Sequence, residues 1–123
     1  MLAVLAYGLS AFLDVFIIVI GARFILAPNT AAAGYGVPAK PDGDAAYLAV
    51  KGVRDITSGV VGLALLTFVG AQAGAWFMLA VALIPLGDMV IVLRHGGTKA
   101  VAFGVHLATA VVVLISAALL FAV

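Results

Sequence analysis

Lys51, Arg54, Asp55 and Ser58 stand at offsets of three, four and seven, so a helix through them carries all four on one face. They sit inside an apolar run that is long enough to cross a bilayer. Charged groups at membrane depth are costly and normally face a bundle interior or a wet cavity, with partners. Arg54 offers a planar fork and Lys51 an ammonium, both suited to an anionic or carbonyl oxygen. With Ser58, Tyr47 at the start of the same run, and Thr109 on a later helix, they form the candidate ligand-contacting set. Asp14, Asp55, Asp88 and His106 form the candidate acid/base set. A histidine beside carboxylates suits that work because its unperturbed pKa lies near neutrality. Either protonation state is open to Asp14 and Asp88, since burial and nearby cations act in opposite senses.

Four apolar runs must position these groups: about residues 2–27, 45–70, 74–93 and 100–123. Each meets the length of about 20 residues that spans the hydrocarbon core. Hydrophobic residues make up 67% of the 123 and charged residues 9%, too few to cover a soluble surface. The expected fold is therefore an all-α membrane protein, one domain of four spans in an up-down-up-down bundle. The segment 28–44 holds three of the four prolines and several glycines and is expected to be a loop. Gly70–Gly74 is expected to be a tight turn, and Arg94–Lys99 the third connection. The first run resembles a signal peptide only superficially. It lacks a basic start and exceeds the usual apolar length, so it is expected to be a membrane helix.

The positions of the charges orient the bundle. Arg23, Lys40, Lys51, Arg54, Arg94 and Lys99 all fall toward the side of the first and third connections. The positive-inside rule makes that side cytoplasmic, with both termini outside the inner membrane. Asp14 precedes Arg23 by nine residues, Asp88 precedes Arg94 by six, and His106 follows Lys99 by seven. At 1.5 Å per residue these lie roughly 9–14 Å in from the rim, and Asp55 about 15 Å. All four helices thus bring an ionisable group to one layer. Seven-residue registers agree: Tyr7, Ser10, Asp14 and Gly21; Met78, Val81, Pro85, Asp88 and Val92; His106, Thr109, Val113 and Ser116. Gly59, Gly62 and Ala64 allow close helix approach. Pro85 leaves the Val81 carbonyl without its helical donor.

Other chemistries are disfavoured. There is no cysteine, and a net charge of +1 gives no basic stripe for nucleic acid. No P-loop, dinucleotide fingerprint or nucleophile elbow is present. Lys51 and Arg54 at the layer of the carboxylates oppose a metal site, so no metal or cofactor is expected. A purely structural reading also stands: Arg54 pairs with Asp88 or Asp14, Lys51 pairs with Asp55, and the charges only lock the bundle.

Several motifs resemble one family: Gly21-Ala-Arg-Phe…Ala27-Pro28, Gly34-Tyr-Gly-Val-Pro38, Val50-Lys-Gly-Val-Arg-Asp55, Pro85-Leu-Gly-Asp88…Val92-Leu-Arg-His-Gly-Gly97, and Ala102-Phe-Gly-Val-His106…Thr109. It is an uncharacterised family of small four-helix integral membrane proteins of bacteria and fungi, a domain of unknown function. The resemblance implies membrane location and four helices, and carries no activity. A second likeness is to small multidrug transporters, which have similar length and an acidic residue in the first helix, as Asp14 is here. Those proteins place a glutamate there and act as dimers. Lys51, Arg54, Asp55, Asp88 and His106 fall outside their pattern. Three functions follow: a pocket for a small lipophilic or anionic molecule, with acid/base chemistry open to it; a proton-coupled transporter, as a homo-oligomer with Asp14 at the shared interface; or a structural partner subunit. The lipid bilayer is the expected partner in all three.

Overall fold

The structure is a computed structural model that describes residues 1–40 and 43–123. Pro41, one of the prolines of the first connection, and Asp42 lie outside the described residues. Among the described residues all regular structure is helical: α1 (Leu2–Leu26), α2 (Pro28–Tyr35), α3 (Ala45–Phe68), α4 (Ala71–Val81), α5 (Leu83–Arg94), α6 (Lys99–Val101), a π-helical turn (Ala102–Leu107) and α7 (Ala108–Phe121).

The breaks between helices follow from residue chemistry. Pro28 was expected to open a loop, but it begins α2 instead. A proline is tolerated in the first turn of a helix, where its missing N–H has no partner to lose. Gly36 then ends α2 in the left-handed region, at φ 102°. The turn after α3 is tighter than the span Gly70–Gly74. Gly70 alone, at φ 119°, reverses the chain, and Gly74 is already helical and buried against Leu66 and Leu120. Between α4 and α5 the chain departs from helix at Ala82. Pro85 has no N–H for the Val81 carbonyl there, while Ala82 N–H still reaches the Met78 carbonyl at 3.0 Å. The last helical stretch starts with Thr98 Oγ1 accepting the Val101 N–H at 3.2 Å, and widens into the π turn that carries His106. The hydrophobic pattern contains no signal for that π turn.

Glycines decide how α1 meets α3. A Cβ at Gly21 would lie 2.5 Å from the Gly52 carbonyl oxygen, and one at Gly52 would lie 2.5 Å from the Gly21 carbonyl oxygen. Further along, Gly59 lies against the backbone carbonyl of Asp14 and Gly62 against its carboxyl group. The numbers rise on one helix as they fall on the other, so the pair is antiparallel. Without Cβ atoms the two backbones come into direct contact. The seam continues into a core of Ala6, Leu66, Ala75, Met78, Val113 and Leu120, which joins α1 and α3 to α4 and α7. A smaller core of Phe24, Ala31 and Ala32 fastens α2 to the end of α1.

Three helical stretches are long and apolar enough to cross a membrane: Leu2–Leu26, Ala71–Arg94 and Lys99–Phe121. In Leu2–Leu26 only 17% of the most apolar window is buried, so most of its Leu, Val, Ile and Phe side chains face outward, as lipid requires. α3 is of similar length but carries Lys51, Arg54 and Asp55, and is not among the three.

Candidate functional site

The inward registers on three of the helices are those expected. Ser10, Asp14 and Gly21 are buried on α1, Pro85 and Val92 on α5, and His106, Val113 and Ser116 on the last stretch. Tyr7, expected on the same stripe as Asp14, is exposed.

On α3 the expected face is rotated. The buried positions are Gly52, Gly59, Gly62 and Leu66. Lys51, Asp55 and Ser58 flank that stripe and are half-buried, while Arg54 is exposed. The reason is geometric: two residues advance a helix by about 200°, so once Gly52 meets Gly21, Arg54 must point away. Tyr47 also stands apart, at 77% exposure. Neither residue joins the others.

The remaining ionisable groups gather around a side chain outside both candidate sets, Tyr35. Its carbonyl oxygen lies 2.7 Å from His106 Nε2, and its ring meets the imidazole edge to face with centroids 4.4 Å apart. A carbonyl can only accept, so Nε2–H of His106 is the donor in this bond. Lys51 Nζ bonds Asp55 Oδ2 at 2.6 Å and lies over the rings of Phe24 and Tyr35, 4.1 and 4.7 Å from their centroids. An ammonium over an aromatic face is attracted by the ring quadrupole. Burial holds the Tyr35 hydroxyl well above the usual tyrosine range, and the Asp88 carboxylate facing it, with Asp55 nearby, raises it further. The signal for Tyr35 was present but weak: one aromatic between two glycines in a proline-rich connection.

Asp14 lies apart from this cluster. Its carboxyl group rests against Gly62 and its backbone carbonyl against Gly59, and the residue is only 3% exposed. Its Oδ2 has no hydrogen-bond partner among the described residues, and neither have the buried hydroxyls of Ser10 and Ser116. A buried oxygen without a partner is costly and uncommon. By contrast the hydroxyls of Thr57, Thr67 and Thr109 all return to the carbonyl four residues back.

Asp14 and Asp55 both line a cavity of about 100 Å³ between α1, α3, the α4–α5 break and α7. Ser58, Thr109 and Pro85 complete its polar and kinked edges, and Leu13, Ile17, Phe77 and Met78 are among its apolar walls. The structure therefore brings together Asp14, Asp55, Ser58 and Thr109 at the cavity, and Lys51, Asp55, Asp88 and His106 around Tyr35. Asp55 belongs to both. Among the described residues no group of three His, Cys, Asp or Glu side chains could hold a metal ion.

No curated protein and no solved structure matches the chain. Its sequence matches the family described as "Domain of unknown function (DUF4267)" from residue 3 to residue 120, a stretch that takes in both polar clusters and the cavity. This membrane-like, all-helical chain is thus a member of the uncharacterised family to which its motifs point.

Proposed function

We propose that the protein is a four-span, up-down-up-down membrane bundle whose cavity binds a small lipophilic molecule through a hydrogen bond donated to Asp14. The carrying observation is the Asp14 carboxyl group, buried at the wall of an apolar cavity with Oδ2 unpartnered. A cavity of about 100 Å³ is smaller than the roughly 150 Å³ that holds benzene, so it takes a compact lipophilic group. The binding group is then a donor, an amine or a hydroxyl, and not an anion. Lys51 is engaged by Asp55 and two aromatic rings, and Arg54 points outward. Asp55, Ser58 and Thr109 orient the occupant from the other walls. In this reading the cluster around Tyr35 closes the cytoplasmic end.

Proton-coupled transport, in which Asp14 exchanges a proton for substrate across a dimer interface, has less support. Asp14 faces α3 of its own chain, not an outer surface. The ion pair of Lys51 with Asp55 supports a bundle-locking role for those two charges, and leaves Asp14 unaccounted for.

The test is binding of matched alkyl and aryl amines, alcohols and hydrocarbons to the purified protein by native mass spectrometry. Asp14→Leu should weaken the donor-bearing compounds by up to about tenfold, the worth of one hydrogen bond, and leave the hydrocarbons unchanged. Equal binding of amine and hydrocarbon by the unaltered chain would remove the proposal.

A further inference from the structure

Beside that cavity, two grooves run along α1 against the π turn. One, of about 190 Å³, is lined by Arg23, Ile20, Phe24, Tyr35 and Val105 among others. The other, of about 350 Å³, is lined by Phe12, Phe16, Gly104, Val105, Ala108 and Val112 among others. They share Val105 and follow the same helix, so together they make one furrow. From Arg23 to Phe12 it extends over eleven residues, roughly 16 Å at the helical rise.

The two ends of the furrow differ chemically. At the rim stands the Arg23 guanidinium, exposed, and among the described residues no carboxylate pairs with it, since the ion pair found is Lys51 with Asp55. Below it the walls are apolar and open sideways, with Phe12, Phe16 and Val105 at 63%, 46% and 45% exposure. Gly104 leaves the floor clear, for a Cβ there would meet nothing within 4 Å. The one hydroxyl nearby, that of Thr109, is turned back to the Val105 carbonyl at 2.6 Å.

We infer that this furrow holds one anionic phospholipid of the surrounding bilayer, with its phosphate on Arg23 and an acyl chain laid along Ile20, Phe16 and Phe12. The guanidinium fork matches phosphate oxygens two at a time. The mainly apolar groove beneath it suits a hydrocarbon chain. The furrow adjoins the Asp14 cavity, since Leu13, Phe16 and Thr109 line both, but Arg23 and Val105 belong to the furrow alone and Asp14 to the cavity alone.

The experiment presents the purified full chain with equal amounts of phosphatidylglycerol and phosphatidylcholine, and counts the lipids retained by native mass spectrometry. The unaltered chain should retain phosphatidylglycerol about fivefold over phosphatidylcholine, the worth of one cation near an anionic surface. Arg23→Gln should bring the ratio to parity, and Arg23→Lys should restore part of it. Gly104→Trp, which fills the floor and keeps Arg23, should release both lipids. Parity in the unaltered chain, a preference that survives Arg23→Gln, or lipid retention unaffected by Gly104→Trp would each overturn the inference. Displacement of the lipid by inorganic phosphate alone would also overturn it, since the head group would then be the whole ligand.

Discussion

His106 Nε2 reaches across 71 residues of sequence to the backbone carbonyl of Tyr35, at 2.7 Å. This one bond ties the short helix α2 to the last membrane-length stretch. It is made from the π turn that carries His106. Without it, α2 would be held mainly by the small core at Phe24, Ala31 and Ala32.

Replacing His106 with Phe keeps the contact with the Tyr35 ring and removes the donor. The Tyr35 carbonyl, which is half-buried, then loses its donor, at a cost of about 1 kcal/mol. Hydrogen exchange should rise over residues 28–35 and stay unchanged over α4. Unaltered protection of α2 would show that the bond is dispensable.

The antiparallel seam makes a sharper prediction. Gly52→Ala and Gly62→Ala place a methyl group against the Gly21 carbonyl and the Asp14 carboxyl, respectively. Each should destabilise by about 1–3 kcal/mol, as overpacking does, in unfolding from detergent monitored by circular dichroism. Gly8→Ala and Gly87→Ala, with open space around the added atom, serve as matched controls and should be neutral or stabilising.

For Lys51 and Asp55 the informative quantity is their coupling. Lys51→Met leaves Asp55 without its 2.6 Å partner, and Asp55→Leu strands the ammonium on two aromatic rings. The double variant should be more stable than the sum of the single losses predicts, with a coupling of roughly 0.5–3 kcal/mol in a double-mutant cycle. Additive effects would mean that the ring contacts, and not the ion pair, hold Lys51.

Tyr35 should titrate late. Burial and the facing Asp88 keep its phenol neutral in the folded chain, whereas an unfolded tyrosine ionises near about pH 10. The folded-state pKa is the raised one, so this contribution to stability is fully present below about pH 10 and is lost as the pH rises above it. Alkaline unfolding of the natural chain should therefore be steeper than that of Tyr35→Phe. Identical alkaline profiles would place the phenol in water.

Much of this protein was settled by composition and period alone. Long runs of Leu, Val, Ile and Ala have no stable place except lipid or a core, and a seven-residue recurrence must form a stripe. Ser10, Asp14, Pro85, His106 and Val113 could therefore be assigned inward without any coordinates. Lys51 and Asp55, four apart on one helix, had to be neighbours.

What the stripe could not determine was the rotation of α3. Glycine carries no hydropathy signal for contact, yet mutual backbone approach at Gly21 and Gly52 outweighs the alignment of charges and turns Arg54 outward. Nor does hydrophobic periodicity reveal a helix begun by a proline, which is a matter of first-turn hydrogen bonding, or a π turn, whose His106 bonds a carbonyl 71 residues away. Tyr35 became the centre of the polar cluster only because α2 folds back over the bundle. Asp14 became the exceptional carboxylate only because tertiary packing buried it without giving its second oxygen a partner.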